Sequence, residues 1–365
     1  MTGLPGWDRF KALVRAELRH LTTITPSNRR WQMPAAAALA SGLPLLIGAW
    51  FGRLDYGLIS SLGGLAFLYL PNTPLSHRMV WMMACAFGLA ACYALGVMSH
   101  FVPLVLMWVI TFIAILVTMV VRFYGLGPPG SLFFVMAAAI GAYSPGTVLD
   151  VPLKVGLVTM GALLASLIAF FYSLYVLRLQ APDPVAPPPA PTFDFVILDS
   201  IVIGAFVGLS LLLAQLLQLE RPYWVPVSCL AVIQGVSLRA VWNRQLHRIV
   251  GTGIGMLLAW ALLSLPLNTW GIAATMTVLA FVIESTVVRH YGFAVIFITP
   301  LTILLAEAAT LGHGDPAALI QARFIDTLVG CLVGLVGGIC LHSPRFREVM
   351  GRQIRRLTPS RLLRR

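Results

Sequence analysis

Residues 101–121, FVPLVLMWVITFIAILVTMVV, carry no charged side chain and no regular alternation of polar and apolar positions. A run of about 20 such residues crosses the roughly 30 Å hydrocarbon layer of a bilayer as an α-helix. Only helices and closed barrels satisfy their backbone groups there, and a barrel strand would alternate. This segment is therefore read as a transmembrane helix, and its neighbours repeat the pattern.

Working outward, apolar segments cover 33–51, 56–70, 79–98, 101–121, 130–144 and 154–177, then 195–217, 223–238, 246–264, 270–286, 291–308 and 323–341. Hydrophobic residues make up 59% of the 365 and charged residues 10%, with a mean hydropathy of +0.88, which leaves too little polar surface for a soluble globule. The fold class expected is an all-α polytopic membrane protein of about 12 transmembrane helices, arranged as two parallel six-helix repeats. The divisions are a basic amphipathic segment at 1–32, a first repeat at 33–178, a Pro-rich linker at 179–194, a second repeat at 195–342 and a basic tail at 343–365.

When the loops are assigned alternately to two sides, all of the 25 Lys and Arg except Arg53, Lys154, Arg221 and Arg323 fall on one side. The positive-inside rule makes that side the cytoplasm and places both termini there. The net charge of +12 is thereby explained by topology and anionic lipid, without nucleic acid. Trp7, Phe10, Val14, Leu18 and Leu21 share one helical face, as do Phe346, Met350, Ile354 and Leu357, so both ends read as interfacial helices. The first 30 residues show no cleavable signal peptide, and the first span is expected to serve as the insertion signal. The bacterial inner membrane is the expected location. Cys85, Cys92, Cys229, Cys331 and Cys340 all lie inside spans, so neither a disulfide nor a metal site is expected.

Sliding the first half by 167 positions sets Tyr56 on Tyr223, Ser61 on Ser228 and Gly88 on Gly255. Repeats of this kind place a ligand path between the halves near the midplane. The second span of each half is short, and the fifth spans carry Gly127-Pro128-Pro129-Gly130 and Thr299-Pro300-Leu301-Thr302. Short or broken spans at matching positions are pointers to a transport site.

The second half is the more polar. It contains Tyr223-Trp224-Val225-Pro226, then Gln234, then the stretch from Asn243 through Arg244, His247, Arg248, Gly251 and Thr252 to Gly255. This stretch resembles the signature of the fusaric acid resistance protein-like family, within the aromatic acid exporter superfamily: a Tyr-Trp opening, a late Gln and an Arg-x-x-Gly-Thr-x-x-Gly run. Arg323, Asp326, Thr327 and Gly330 resemble that unit's last helix. The plant aluminium-activated malate transporters look like distant relatives. By the 167 offset Arg248 falls on Trp81 and Thr252 on Cys85, so the first half departs from the pattern.

The sequence holds no zinc-spaced His pair, no Walker-type glycine loop and no hydroxyl, base and acid set, so no enzymatic activity, no cofactor and no nucleotide-driven pump are expected. A proton-driven secondary transporter that exports organic anions is the expectation, and the resemblance implies aromatic carboxylates as the substrates. The candidate substrate residues are Arg244, Arg248, Gln234, Tyr223, Trp224, Thr252 and Arg323. Arg244 and Arg248 share one helical face at the cytoplasmic mouth, where a guanidinium suits a carboxylate or, equally, a lipid headgroup. Tyr223 and Trp224 fit an outer aromatic belt or a stacking platform, and Gln234 fits interhelical glue or a ligand contact. Glu307, Asp326 and Glu284 are the candidates for proton coupling, because buried carboxylates are costly in a bilayer; Asp326 can also pair with Arg323, and Glu284 with Arg289 or His290. A passive anion channel and a non-transporting scaffold stay open, and so does a homodimer.

Overall fold

A computed structural model describes residues 22–27, 29–187, 192–307 and 316–357, with 306, 307, 316 and 357 described by backbone alone. The expected interfacial helix at 7–21 and the linker residues 188–191 lie outside the described residues. No strand occurs among those described. The helices are α1 Gln32–Trp50, α2 Leu54–Gly64 with a 3-10 extension Leu65–Tyr69, α3 Leu75–His100, α4 Pro103–Tyr124, α5 Leu132–Ala142 and α6 Val151–Val176. They continue as α7 Asp199–Leu216, entered through a π-helical turn at Phe193–Leu198, then α8 Trp224–Ile233, α9 Leu238–Leu263, α10 Thr269–Thr286, α11 Tyr291–Glu307, α12 Pro316–His342 and α13 Pro344–Leu357.

Eight of these are long and apolar enough to cross a membrane, and α2, α5, α8 and α11 are shorter apolar helices. The chain is a multi-pass membrane protein. The short helices are those whose glycines, prolines or length mark them in the sequence. α8 has 10 residues, about 15 Å of helix, half of a hydrocarbon layer. All 10 are buried, so the helix itself is surrounded by protein rather than lipid.

Two boundaries move furthest from the sequence reading. α9 begins at Leu238 rather than 246, because Ser237 caps it by accepting a hydrogen bond from the Ala240 N–H at 3.2 Å and the following residues favour helix. α12 begins at Pro316 rather than 323, with proline at its first position. Arg239 and Arg244 are therefore helix residues, not loop charges, and Arg248 and Arg323 lie well inside their helices rather than at the first turn.

Helix pairings recur in the two halves: α3 packs on α5 as α9 packs on α11, and α2 on α6 as α8 on α12. Both kinds of pairing use glycine to bring backbones together. A Cβ on Gly161 of α6 would stand 1.9 Å from the Ser60 carbonyl of α2, and one on Gly330 of α12 would stand 2.4 Å from the Val225 carbonyl of α8. Between halves, α1 lies along α10 and α4 along α7. Gly330→Leu must push α8 off α12, so about 2–3 kcal/mol of destabilisation is expected, visible as a lower melting temperature of the purified protein and absent in Gly253→Leu, which meets open space.

An ion pair closes each inter-half seam at the end of the bundle where α1 and α7 begin. Arg122 of α4 donates to Asp199 of α7 at 2.8 Å, and Arg29 donates to Glu284 of α10 at 3.3 Å. Glu284 thus pairs across the seam rather than with Arg289 or His290, since the chain ahead of α1 crosses to the second half, with the Thr25 N–H bonding the Arg289 carbonyl at 2.9 Å. α13 is not free for lipid on its apolar side: Phe346, Met350 and Ile354 pack on the protein core, Arg347 bonds Asp199, and Arg355 bonds Asp194 at 2.9 Å. Asp183 of the Pro-rich linker is bonded to Asn72 through both its backbone N–H and its side chain.

Candidate functional site

α8, α9, α11 and α12 enclose the polar interior of the second half. Arg248 comes from the third turn of α9 and is 5% exposed. Its Nη1 donates to the Tyr291 hydroxyl at 3.1 Å and its Nη2 to Ser228 Oγ at 3.2 Å, while Nε meets no acceptor among the described residues. α9 and α11 approach closely enough for this because a Cβ on Gly255 would stand 2.6 Å from the Ile296 carbonyl, the group that Pro300 leaves without its helical donor. Thr252, one turn beyond Arg248, is buried in the same seam.

Arg323 enters from α12, also 5% exposed, with its guanidinium over the Trp224 ring at 4.2 Å. Its Nε and Nη1 find no acceptor among the described residues. The expected ion pair with Asp326 is absent: Asp326 is 1% exposed and neither of its oxygens accepts a hydrogen bond among the described residues. The physical reason is competition, since the indole face draws the guanidinium sideways off its own helix. Arg248 and Arg323 are close enough to repel each other. Asp326 forms part of an open cleft of about 250 Å³ between the turn after α7 and α12, which Gln218, Glu220, Gln321 and Ala322 also line.

Tyr223 and Trp224 are 9% and 2% exposed, which corrects the reading of an outer aromatic belt. The start of α8 is as enclosed as the rest of it. Tyr223 packs on Trp224 at 5.3 Å and on Tyr143 at 5.9 Å, and Tyr143 Oη accepts a hydrogen bond from Gln215.

The other sequence candidates lie apart. Gln234 donates to Ser131 Oγ at 2.6 Å, where Thr118 also donates, and so ties the end of α8 to the start of α5 in the other half. Arg244 is half-buried one turn before Arg248, toward the end where α9 begins. Glu284 is held in the α1–α10 seam. The Glu307 side chain lies outside the described residues. Neither hydrogen-bond partner of Arg248 is assigned to it by the sequence. Ser228 was signalled by the repeat, whereas Tyr291, 43 positions away, has no signal short of the fold.

The first half has no matching arrangement. Arg78 is buried but satisfied, donating to the Thr73 carbonyl at 2.6 Å, Asn72 Oδ1 at 2.7 Å and Ser173 Oγ at 3.4 Å. The space around α5 is filled by Tyr69, Cys85, Leu89 and Phe134.

The helices that carry both unsatisfied arginines lie within one recognisable segment. Residues 209–337 match the fusaric acid resistance protein-like family. This fusaric acid resistance-like segment takes in all of α8 to α11 with the last two turns of α7 and most of α12, and it contains Trp224, Arg248, Arg323 and Asp326. The chain is 35% identical over 121 residues to the uncharacterized membrane protein YvaC of Bacillus subtilis (strain 168), covering 33% of this chain and 19% of that protein. It is 26% identical over 140 residues to the uncharacterized protein YhfK of Escherichia coli (strain K12), covering 38% of this chain and 19% of that protein. The match thus spans about a fifth of the length of these relatives. No solved structure matches.

Proposed function

We propose that this protein is a secondary transporter of the bacterial inner membrane that exports organic anions, aromatic carboxylates among them, driven by the proton gradient. The observation that supports this reading is the pair of buried guanidinium groups, Arg248 and Arg323, which bond no carboxylate among the described residues and repel each other. A charge within a bilayer costs about 2.5–3.5 kcal/mol on insertion scales, and an arginine left without an anion is dearer still. An anion seated between α9 and α12 relieves both. The recurrent helix pairings support two parallel six-span repeats, and the excess of basic residues supports placing the Arg29 and Arg122 end in the cytoplasm. Trp224 and Tyr223 beside Arg323 favour an aromatic body on the anion. Asp326, buried next to the site, is the carboxylate best placed for coupling.

The test is uptake of benzoate-type and aliphatic carboxylates into proteoliposomes at clamped voltage, with and without an imposed pH difference. Accumulation against the anion gradient that requires the pH difference is expected. Flux that only relaxes the anion gradient, indifferent to pH, would replace the carrier with a channel. No flux of any carboxylate would leave a scaffold.

A further inference from the structure

Arg323 and Asp326 are opposite in charge, three residues apart on α12, both more than nine-tenths buried, and not bonded to each other. Each keeps unfilled hydrogen-bonding capacity: Nε and Nη1 on the guanidinium and both oxygens on the carboxylate. Burying either group unpaired is costly, and two adjacent groups that decline to pair define a ligand by what each lacks. We propose that the ligand is a zwitterion, an aromatic amino carboxylate whose carboxylate binds Arg323 and whose ammonium group binds Asp326. This rests on the reading that the buried arginines hold an organic anion.

A plain carboxylate satisfies Arg323 and leaves Asp326 bare, with a second negative charge beside it. A plain amine does the reverse. A ligand bearing both charges a few ångströms apart completes both residues at once. The open cleft of about 250 Å³ at Asp326 supplies access, and Trp224, Tyr223 and Tyr143 stand beside Arg323 to receive a ring. The other charged groups facing Asp326 are Glu220 and Arg221 on the turn before α8, whose opposite signs offset one another.

The same carboxylate fixes the sense of coupling. A proton and an ammonium group exclude each other at Asp326, so a proton that binds from outside displaces the ligand, and a ligand that binds from the cytoplasm displaces the proton. That is exchange, as proton-driven export requires.

The experiment is calorimetric binding of L-phenylalanine, 3-phenylpropionate and 2-phenylethylamine to the full-length protein in nanodiscs at neutral pH. These probes share a phenyl ring on a two-carbon chain and differ in which charged groups that chain carries. Phenylalanine is expected to bind about tenfold tighter than either analogue, the effect of one charge-assisted hydrogen bond. In Asp326→Asn that preference over phenylpropionate should vanish, and in Asp326→Glu it should persist. Phenylpropionate binding as tightly as phenylalanine to the unaltered protein, and lost in Arg323→Ala, would overturn the zwitterion while keeping the anion reading. Failure of all three to bind would overturn both.

Discussion

Arg323→Ala is expected to reduce aromatic carboxylate flux about a hundredfold, in line with truncating one member of a fully desolvated charge contact. The guanidinium has no structural bond to lose, since its Nε and Nη1 are unpartnered and its contact is the Trp224 face. Removing it should therefore leave folding intact, and the variant should match the unaltered protein in thermal unfolding. Arg323→Lys keeps the charge but loses the planar fork and the stacked geometry, so an intermediate loss is expected. Arg53→Ala, which breaks an exposed pair with Asp55, should transport normally. Equal flux in Arg323→Ala and the unaltered protein would sink the proposed site.

Asp199→Asn is expected to be the most destabilising single change outside the packing glycines. Asp199 accepts from Arg122 on one side and Arg347 on the other, with side-chain exposures of 10%, 18% and 30% respectively. Removing its charge leaves two arginines facing each other with no anion between them, and breaking a buried pair costs about 3–5 kcal/mol. The measurement is thermal unfolding in detergent together with limited proteolysis. The melting temperature should fall, and α13, which Arg347 helps to hold, should become cleavable while α7 stays protected. Unfolding that matches the unaltered protein would show that the α4–α7 seam is held by packing alone.

The helical plan was legible because a bilayer imposes long apolar runs, and the helices that prove short are those flagged by Gly127 to Gly130, Pro300 or sheer length. The residues of the site were legible as types, since Arg248, Trp224, Arg323 and Asp326 stand out against an apolar background. Their geometry was not. Three-residue spacing on a helix made an Arg323–Asp326 pair the natural expectation, and nothing local announces that Trp224, about a hundred positions earlier, would draw the guanidinium away. Tyr223 and Trp224 looked like membrane-boundary residues because sequence gives depth along a helix but not enclosure around it. Glu284 found Arg29 rather than its neighbours in sequence because the chain ahead of α1 crosses to the other half.

The two seam ion pairs have the same polarity. In the α4–α7 seam the first half supplies the cation, Arg122, and the second half the anion, Asp199; in the α1–α10 seam the first half again supplies the cation, Arg29, and the second half Glu284. Two copies of the first half docked in this manner would bring Arg29 against Arg122, and two copies of the second would bring Asp199 against Glu284. Like charges so placed reject the wrong partner. The halves can recognise each other but not themselves, so two identical halves could not replace the pair that the chain joins.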